Sequence, residues 1–365
     1  MRFVEESIPY YRAGKKIGPP QLAAPSDDLP DALSHIDSGG QTHTLDLAMA
    51  LCKLQSDDDS NLPGWTGFNV LLKQDAPQKT KVGYLPVING SPTLLKTVNA
   101  VFEKSISIAD ELELDSIVLV FDLAFYAKAQ QVRWHNSDFM DRTVVRLGEF
   151  HTCMSLLSVI GKRFLDSGLS DVIFEAEVIA QGSLESVMKG RHYNRSVRTL
   201  KIVSEALRRL QLEEFLEFLD DAQREEFKNI SRQLREAFPQ SLFIESVDSP
   251  DCQNFERKLS LHVQQKCERL PTYAFWHSYL EMADLLLTFV RATREGDWDL
   301  HLATAAKMLP WYFSYNHLNY ARYLPVYLSE MGCLQTTHPS VAVSLPNDFV
   351  VQQQDRHAFS QTAMD

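Results

Sequence analysis

The segment Ile117-Val118-Leu119-Val120-Phe121-Asp122 does most to limit what this chain can fold into. Five apolar β-formers without polar alternation describe a strand covered on both faces. A helix-forming run, Ala124-Phe125-Tyr126-Ala127-Lys128-Ala129, follows at once. A carboxylate at the carboxyl end of such a strand stands where open α/β sheets form their crevice. Thr143 to Leu147 repeats the device and runs into Gly148-Glu149-Phe150-His151.

The surrounding pattern extends the alternation. Lys81 to Ile88 reads as a strand, and Ser91-Pro92 as the N-cap and first position of a helix reaching about Leu114. A helix from Phe150 to Phe164 and a strand from Asp171 to Ala180 follow. Strands alternating with helices predict a largely parallel sheet covered on both sides. After Gly190 the period changes: Val197, Leu200, Val203, Leu207 and Leu210 recur at helical spacing, and one helix or a pair is expected from Ser196 to Phe238. Further helices are expected near 253–270 and 272–295, the second ending on Gly296. Asp297 is placed to cap a helix that Pro310 halts, and a last helix with Pro325 inside it spans Asn316 to Met331. Residues 1–60 form an irregular arm with a short helix from Asp46 to Leu54, 61–190 the α/β core, and 191–270 a helical insertion. Residues 271–335 supply C-terminal helices and 336–365 an irregular tail.

Composition removes several classes. The 365 residues carry a net charge of −12, so contact with nucleic acid needs a local basic patch. No apolar run reaches the roughly 18 residues of a membrane span, and no signal core opens the chain. Five scattered cysteines without a Cys-x-x-Cys pair read as reduced thiols of an intracellular protein. Phosphate-loop, dinucleotide-binding, serine-hydrolase and zincin motifs are missing.

Candidate chemistry rests on few residues, and each has a plain alternative. Asp122 reads as a metal-binding or general-base carboxylate, or as the N-cap of the helix after it. His151 reads as a proton carrier or as a partly buried histidine bonded to backbone. Glu175 and Glu177 share one face of the expected strand, which suits a shared cation or a solvated surface. Between Lys189 and Arg209 seven basic residues face one acid, Glu205. That stretch suits a phosphate backbone or a solvated helix face balancing the acidic residues after it.

Leu62-Pro63-Gly64-Trp65-Thr66-Gly67-Phe68-Asn69, Val82 to Thr93, Val120 to Ala129, Gly148-Glu149-Phe150-His151, Gly190 to Ser196 and Asn319-Tyr320-Ala321-Arg322-Tyr323 occur in this order. Together they resemble a family of invertebrate, mobile-element-derived proteins related to the DUF6589 type, with an RNase-H-like, DDE-transposase-like core. The resemblance implies an RNase-H-like sheet with helices on both faces and two-metal phosphoryl transfer on DNA with Mg²⁺ or Mn²⁺. It makes Asp122 and Glu281 the metal ligands and His151 an accessory; Lys189, Arg191, Arg195, Arg198 and Lys201 supply the DNA-contacting patch. This chain has Ile88-Asn89-Gly90 where the family carries Ile-Asp-Gly, and both ends look cut. The resulting expectation is an element-derived protein with a degenerate nuclease core; the alternative is a non-enzymatic interaction scaffold.

Overall fold

The computed structural model describes residues 38–54, 62–72, 80–238 and 242–350. Helix α1 (Ser38–Leu54) and α2 (Trp65–Leu72) come first, then α3 (Leu95–Glu111). A small α/β unit follows: β1 (Ile117–Phe121), α4 (Leu123–Arg133), α5 (Ser137–Arg142), β2 (Thr143–Leu147) and α6 (Glu149–Phe164). Two short helices, α7 (Leu169–Glu175) and α8 (Gln181–Met188), lead to the long α9 (Tyr193–Phe218) and α10 (Asp221–Ala237). Then come α11 (Leu242–Val247), α12 (Pro250–Arg269), α13 (Pro271–Glu295) and α14 (Trp298–Ser314). Helices α15 (Leu318–Gly332), α16 (Leu334–Thr337) and α17 (Pro339–Asp348) close the described chain.

The expected RNase-H-like α/β sheet is not there. Among the described residues the only sheet is the parallel pair β1–β2, in the register Ile117 to Thr143 through Phe121 to Leu147. Parallel neighbours need a crossover, which α4 and α5 provide. Every residue of β2 is buried, whereas β1 is only partly covered and Val120 is exposed. Two of the expected strands explain the shortfall. Lys81 to Ile88 joins no strand among the described residues, and its Val82, Tyr84, Leu85 and Val87 face solvent. Asp171 to Ala180 begins inside α7 instead, because Leu169 and Ile173, four apart, go into the core together. Glu175 therefore ends a helix, and Glu177 sits in the following turn at φ 54°, so the two do not share a strand face.

The helices mostly follow their sequence signals. Asp220 Oδ1 accepts the Gln223 backbone N–H at 2.8 Å and Gln223 Oε1 accepts that of Asp220 at 3.2 Å, a reciprocal cap that starts α10. Gly296, at φ 74°, terminates α13 in the left-handed conformation that a side chain resists. Asp297 Oδ1 caps α14 through Leu300 N–H at 2.9 Å. Pro310 does not halt that helix, which continues to Ser314. Burial of Leu300, Ala303, Met308 and Tyr312 on one side outweighs the backbone bond that the proline forfeits. Helix α1 occupies part of the stretch expected to be an irregular arm, and its Leu47–Cys52 segment is wholly buried. Helix α17 lies in the expected irregular tail.

Helices α9 and α13 are the long struts of the helical half. They run antiparallel, since Arg208 meets Asp284 while Gln211, farther along α9, meets Tyr273 and His277. Helix α1 packs on both of them, and Trp65 of α2 lies against Lys201 of α9. Leu286, Leu287, Phe289 and Val290 of α13 are buried, worth about 1.5–3 kcal/mol each.

Candidate functional site

The residues singled out by sequence do not assemble into one centre. Asp122 is exposed and is the N-cap of α4: its Oδ1 accepts the Phe125 N–H at 2.8 Å. His151 is exposed in the first turn of α6, edge-on to Phe150 at 5.3 Å between ring centroids. Glu281 is exposed on α13, where its charge acts on His277 and on Cys267 of α12. No hydrogen bond or ion pair joins Asp122 to Glu281, and among the described residues no group of three His, Cys, Asp or Glu is placed to hold a metal ion.

The basic stretch divides by direction. Lys189 pairs with Glu185, Arg195 donates to Ser183 Oγ at 2.8 Å, and Arg191 and Arg198 are exposed. Lys201 turns inward instead. Its ammonium lies 4.2 Å from the centre of the Trp65 ring and donates to Thr66 Oγ1 at 2.8 Å. Burial, helped by the charge of Arg294 and opposed by Asp46, pushes its pKa down to about 8. Arg208 also points inward, and Arg209 bonds Glu205 Oε1 at 3.0 Å.

Arg208 belongs to a charged seam where α1, α9 and α13 meet. Its guanidinium grips Asp284 Oδ1, and His43 Nδ1 lies 3.1 Å from Asp284 Oδ2. Burial pushes the Asp284 carboxyl up, but Arg208 and His43 outweigh it and hold the group at about 2. One side of this clamp is a small cavity of about 20 Å³ beside Trp65 and Lys201, room for a single water. There Asp46 accepts from Trp65 Nε1 at 2.9 Å and from Arg291 at 2.6 Å, and Lys53 reaches both oxygens of Glu205 at 2.9 Å.

On the other side of the clamp the same two helices part to form an open groove of about 340 Å³. Leu207 and Leu210 of α9 face Trp276 and Leu280 of α13 across it. Its polar edge is a three-residue cluster: Gln211 Nε2 lies 3.2 Å from Tyr273 Oη and 3.2 Å from His277 Nδ1. Burial, with Arg208 and His43, lowers the His277 pKa against the opposing pull of Glu281 and Asp284. Burial raises that of Tyr273. The cluster is therefore uncharged near neutral pH. This groove is concave, largely apolar and edged by convergent polar groups, the make-up of a small-molecule binding feature.

Gln211, Tyr273, His277 and Asp284 belong to no catalytic motif, so the sequence does not single them out. Their signal lay in spacing. Lys201, Ser204, Arg208 and Gln211 recur at intervals of three and four, as do Tyr273, His277, Leu280 and Asp284, so each set lines one helix face. Leu210 was assigned to the apolar stripe, yet it is 61% exposed on the rim of the groove.

No helix among the described residues is long and apolar enough to cross a membrane. All five cysteines are free thiols. Neither a curated protein nor a solved structure matches the chain. One family does: that described as a domain of unknown function, DUF8702, matches residues 64–365. The match replaces the DUF6589-type, mobile-element kinship suggested by the short motifs, which shares neither the family nor the fold found here. Because the match covers most of the sequence, the chain belongs to the DUF8702 family.

Proposed function

We propose that this chain is a non-enzymatic binding protein whose ligand seats an apolar body in the groove between α9 and α13. The supporting observation is the groove itself: about 340 Å³, walled by leucines and Trp276, with Gln211, Tyr273 and His277 along one edge. Sites for small molecules have that size and make-up. The chemistry of its edge favours binding over catalysis. His277, its one imidazole, is hydrogen-bonded to an amide, not to a hydroxyl or thiol that it could activate.

The test is fluorescence titration with N-phenyl-1-naphthylamine, an uncharged apolar probe. Saturable one-to-one binding is expected, weakened at least tenfold by Leu210→Arg. Leu210 is 61% exposed, so the variant should keep its helical circular dichroism and its urea midpoint. Absence of saturable binding, or equal affinity in the variant, would overturn the reading.

A further inference from the structure

The polar edge of the groove narrows the class of ligand. Gln211 Nε2 points its two hydrogens at Tyr273 Oη and His277 Nδ1, so both of those atoms act as acceptors. An accepting Nδ1 leaves the imidazole proton on Nε2. An accepting phenol keeps its own O–H to give, and among the described residues no donor occupies Gln211 Oε1. The edge therefore presents two donors, Tyr273 O–H and His277 Nε2–H, and one acceptor, Gln211 Oε1.

The charges around this edge come from four helices. His277 is faced by Glu281 and Asp284 on its own helix, by Arg208 of α9 and by His43 of α1. Tyr273 is faced by Glu214 of α9 and by Cys267 of α12. Asp284 is neutralised by Arg208, and Glu214 by Lys266 at 2.6 Å with His262 at 2.8 Å. Glu281 has no ion-pair partner among the described residues, so the one unpaired charge acting on His277 is that of an exposed carboxylate beside the groove. A carboxylate or sulfonate would have to leave water and approach that field, whereas a carbonyl or amide would not.

On the reading that this groove is the ligand site, we propose that it selects an uncharged molecule: an aromatic or aliphatic body bearing an amide-like head. The head's carbonyl accepts from Tyr273 O–H and His277 Nε2–H, and its N–H donates to Gln211 Oε1. That pairing uses every free group of the edge and leaves no buried charge.

Calorimetric titration with three probes of one shape tests this: 2-naphthamide, 2-naphthoate and naphthalene, all at pH 7.5. The amide is expected to bind at least tenfold more tightly than the carboxylate, with naphthalene between them. Tyr273→Phe should cost the amide about fivefold and leave naphthalene unchanged, since each neutral hydrogen bond contributes only about 1 kcal/mol. Glu281→Gln should improve naphthoate severalfold and leave the amide alone. Naphthoate binding as well as naphthamide, or a Tyr273→Phe variant that keeps the full amide preference, would overturn the selectivity while the groove remained a binding site. Failure of naphthalene as well as naphthamide to bind would instead remove the binding reading and the selectivity with it.

Discussion

Asp284→Asn is the substitution with the largest consequence that the structure allows to be sized. The carboxyl is held at about 2 against an ordinary 3.8. That gap, at about 1.4 kcal/mol per unit, amounts to roughly 2.5 kcal/mol of native-state preference for the carboxylate. Its sign follows from linkage. The native pKa lies below the unfolded one, so the contribution is complete above pH 3.8 and is lost as pH falls through about 2. Neutralising the group by mutation removes it at every pH and also strands Arg208, whose side chain is only 7% exposed. Breaking a buried pair from one side costs about 3–5 kcal/mol, more than the carboxylate preference alone. Urea unfolding at pH 7.5 measures the loss. The double variant Arg208→Met with Asp284→Leu should recover most of it, because no unpaired charge is then left inside. A loss below about 1 kcal/mol for Asp284→Asn would mean that water screens the pair, and the account of the seam would be wrong.

Three further outcomes follow from other parts of the molecule. Gly161→Ala would place a Cβ 1.8 Å from the Met188 carbonyl oxygen, so the usual helix gain of about 1 kcal/mol should invert to a loss of about 1–3 kcal/mol in urea unfolding. Burial lowers the pKa of His277, His301, His317 and His338, so stability should be complete above about pH 6.5 and fall below it, as the unfolded chain takes up protons that the native state refuses. Urea midpoints at pH 7.5, 6.5 and 5.5 should show that decline, and His301→Phe, at the most deeply buried of the four, should flatten it. Asp122→Ala should cost about 1 kcal/mol and Asp122→Asn almost nothing, since asparagine caps as well as aspartate; an equal loss in both would point to a role for the charge.

Local signals in the sequence proved dependable where a single element could satisfy them. The strand at Ile117, the strand at Thr143, the capped start at Asp297 and the glycine stop at Gly296 all lie where residue chemistry put them. Sheet formation needs partners, and here the local signal misled. Lys81 to Ile88 has β-forming residues but pairs with no strand among the described residues, and Asp171 to Ala180 has an apolar spacing that fits a helix equally well. The candidate site was less legible for a related reason. Asp122 has the same sequence context whether it caps a helix or binds a metal, and only its 2.8 Å bond to Phe125 N–H shows which task its oxygen performs. The basic run after Lys189 is continuous only along the chain; α9 turns Lys201 and Arg208 inward and leaves Arg198 outside, while Arg191 lies exposed before the helix begins.

The seam and the groove are coupled by geometry, and that coupling can be measured. Arg208 precedes Gln211 by one helical turn on α9, and Asp284 follows Leu280 by one turn on α13. The clamp therefore fixes the spacing of the two helices where the groove begins. A site whose walls are held apart before the ligand arrives loses less entropy on binding than one that must first be ordered. Asp284→Asn should weaken N-phenyl-1-naphthylamine binding several-fold under conditions where the variant is still fully folded by circular dichroism. Gly161→Ala, which disturbs the contact of α6 with the end of α8, should lower stability to a similar order without changing probe affinity. Loss of stability alone would affect both variants alike. A parallel fall in affinity for both would therefore show that the groove responds to general loosening, and equal affinity for both would show that its walls stand without the Arg208–Asp284 clamp.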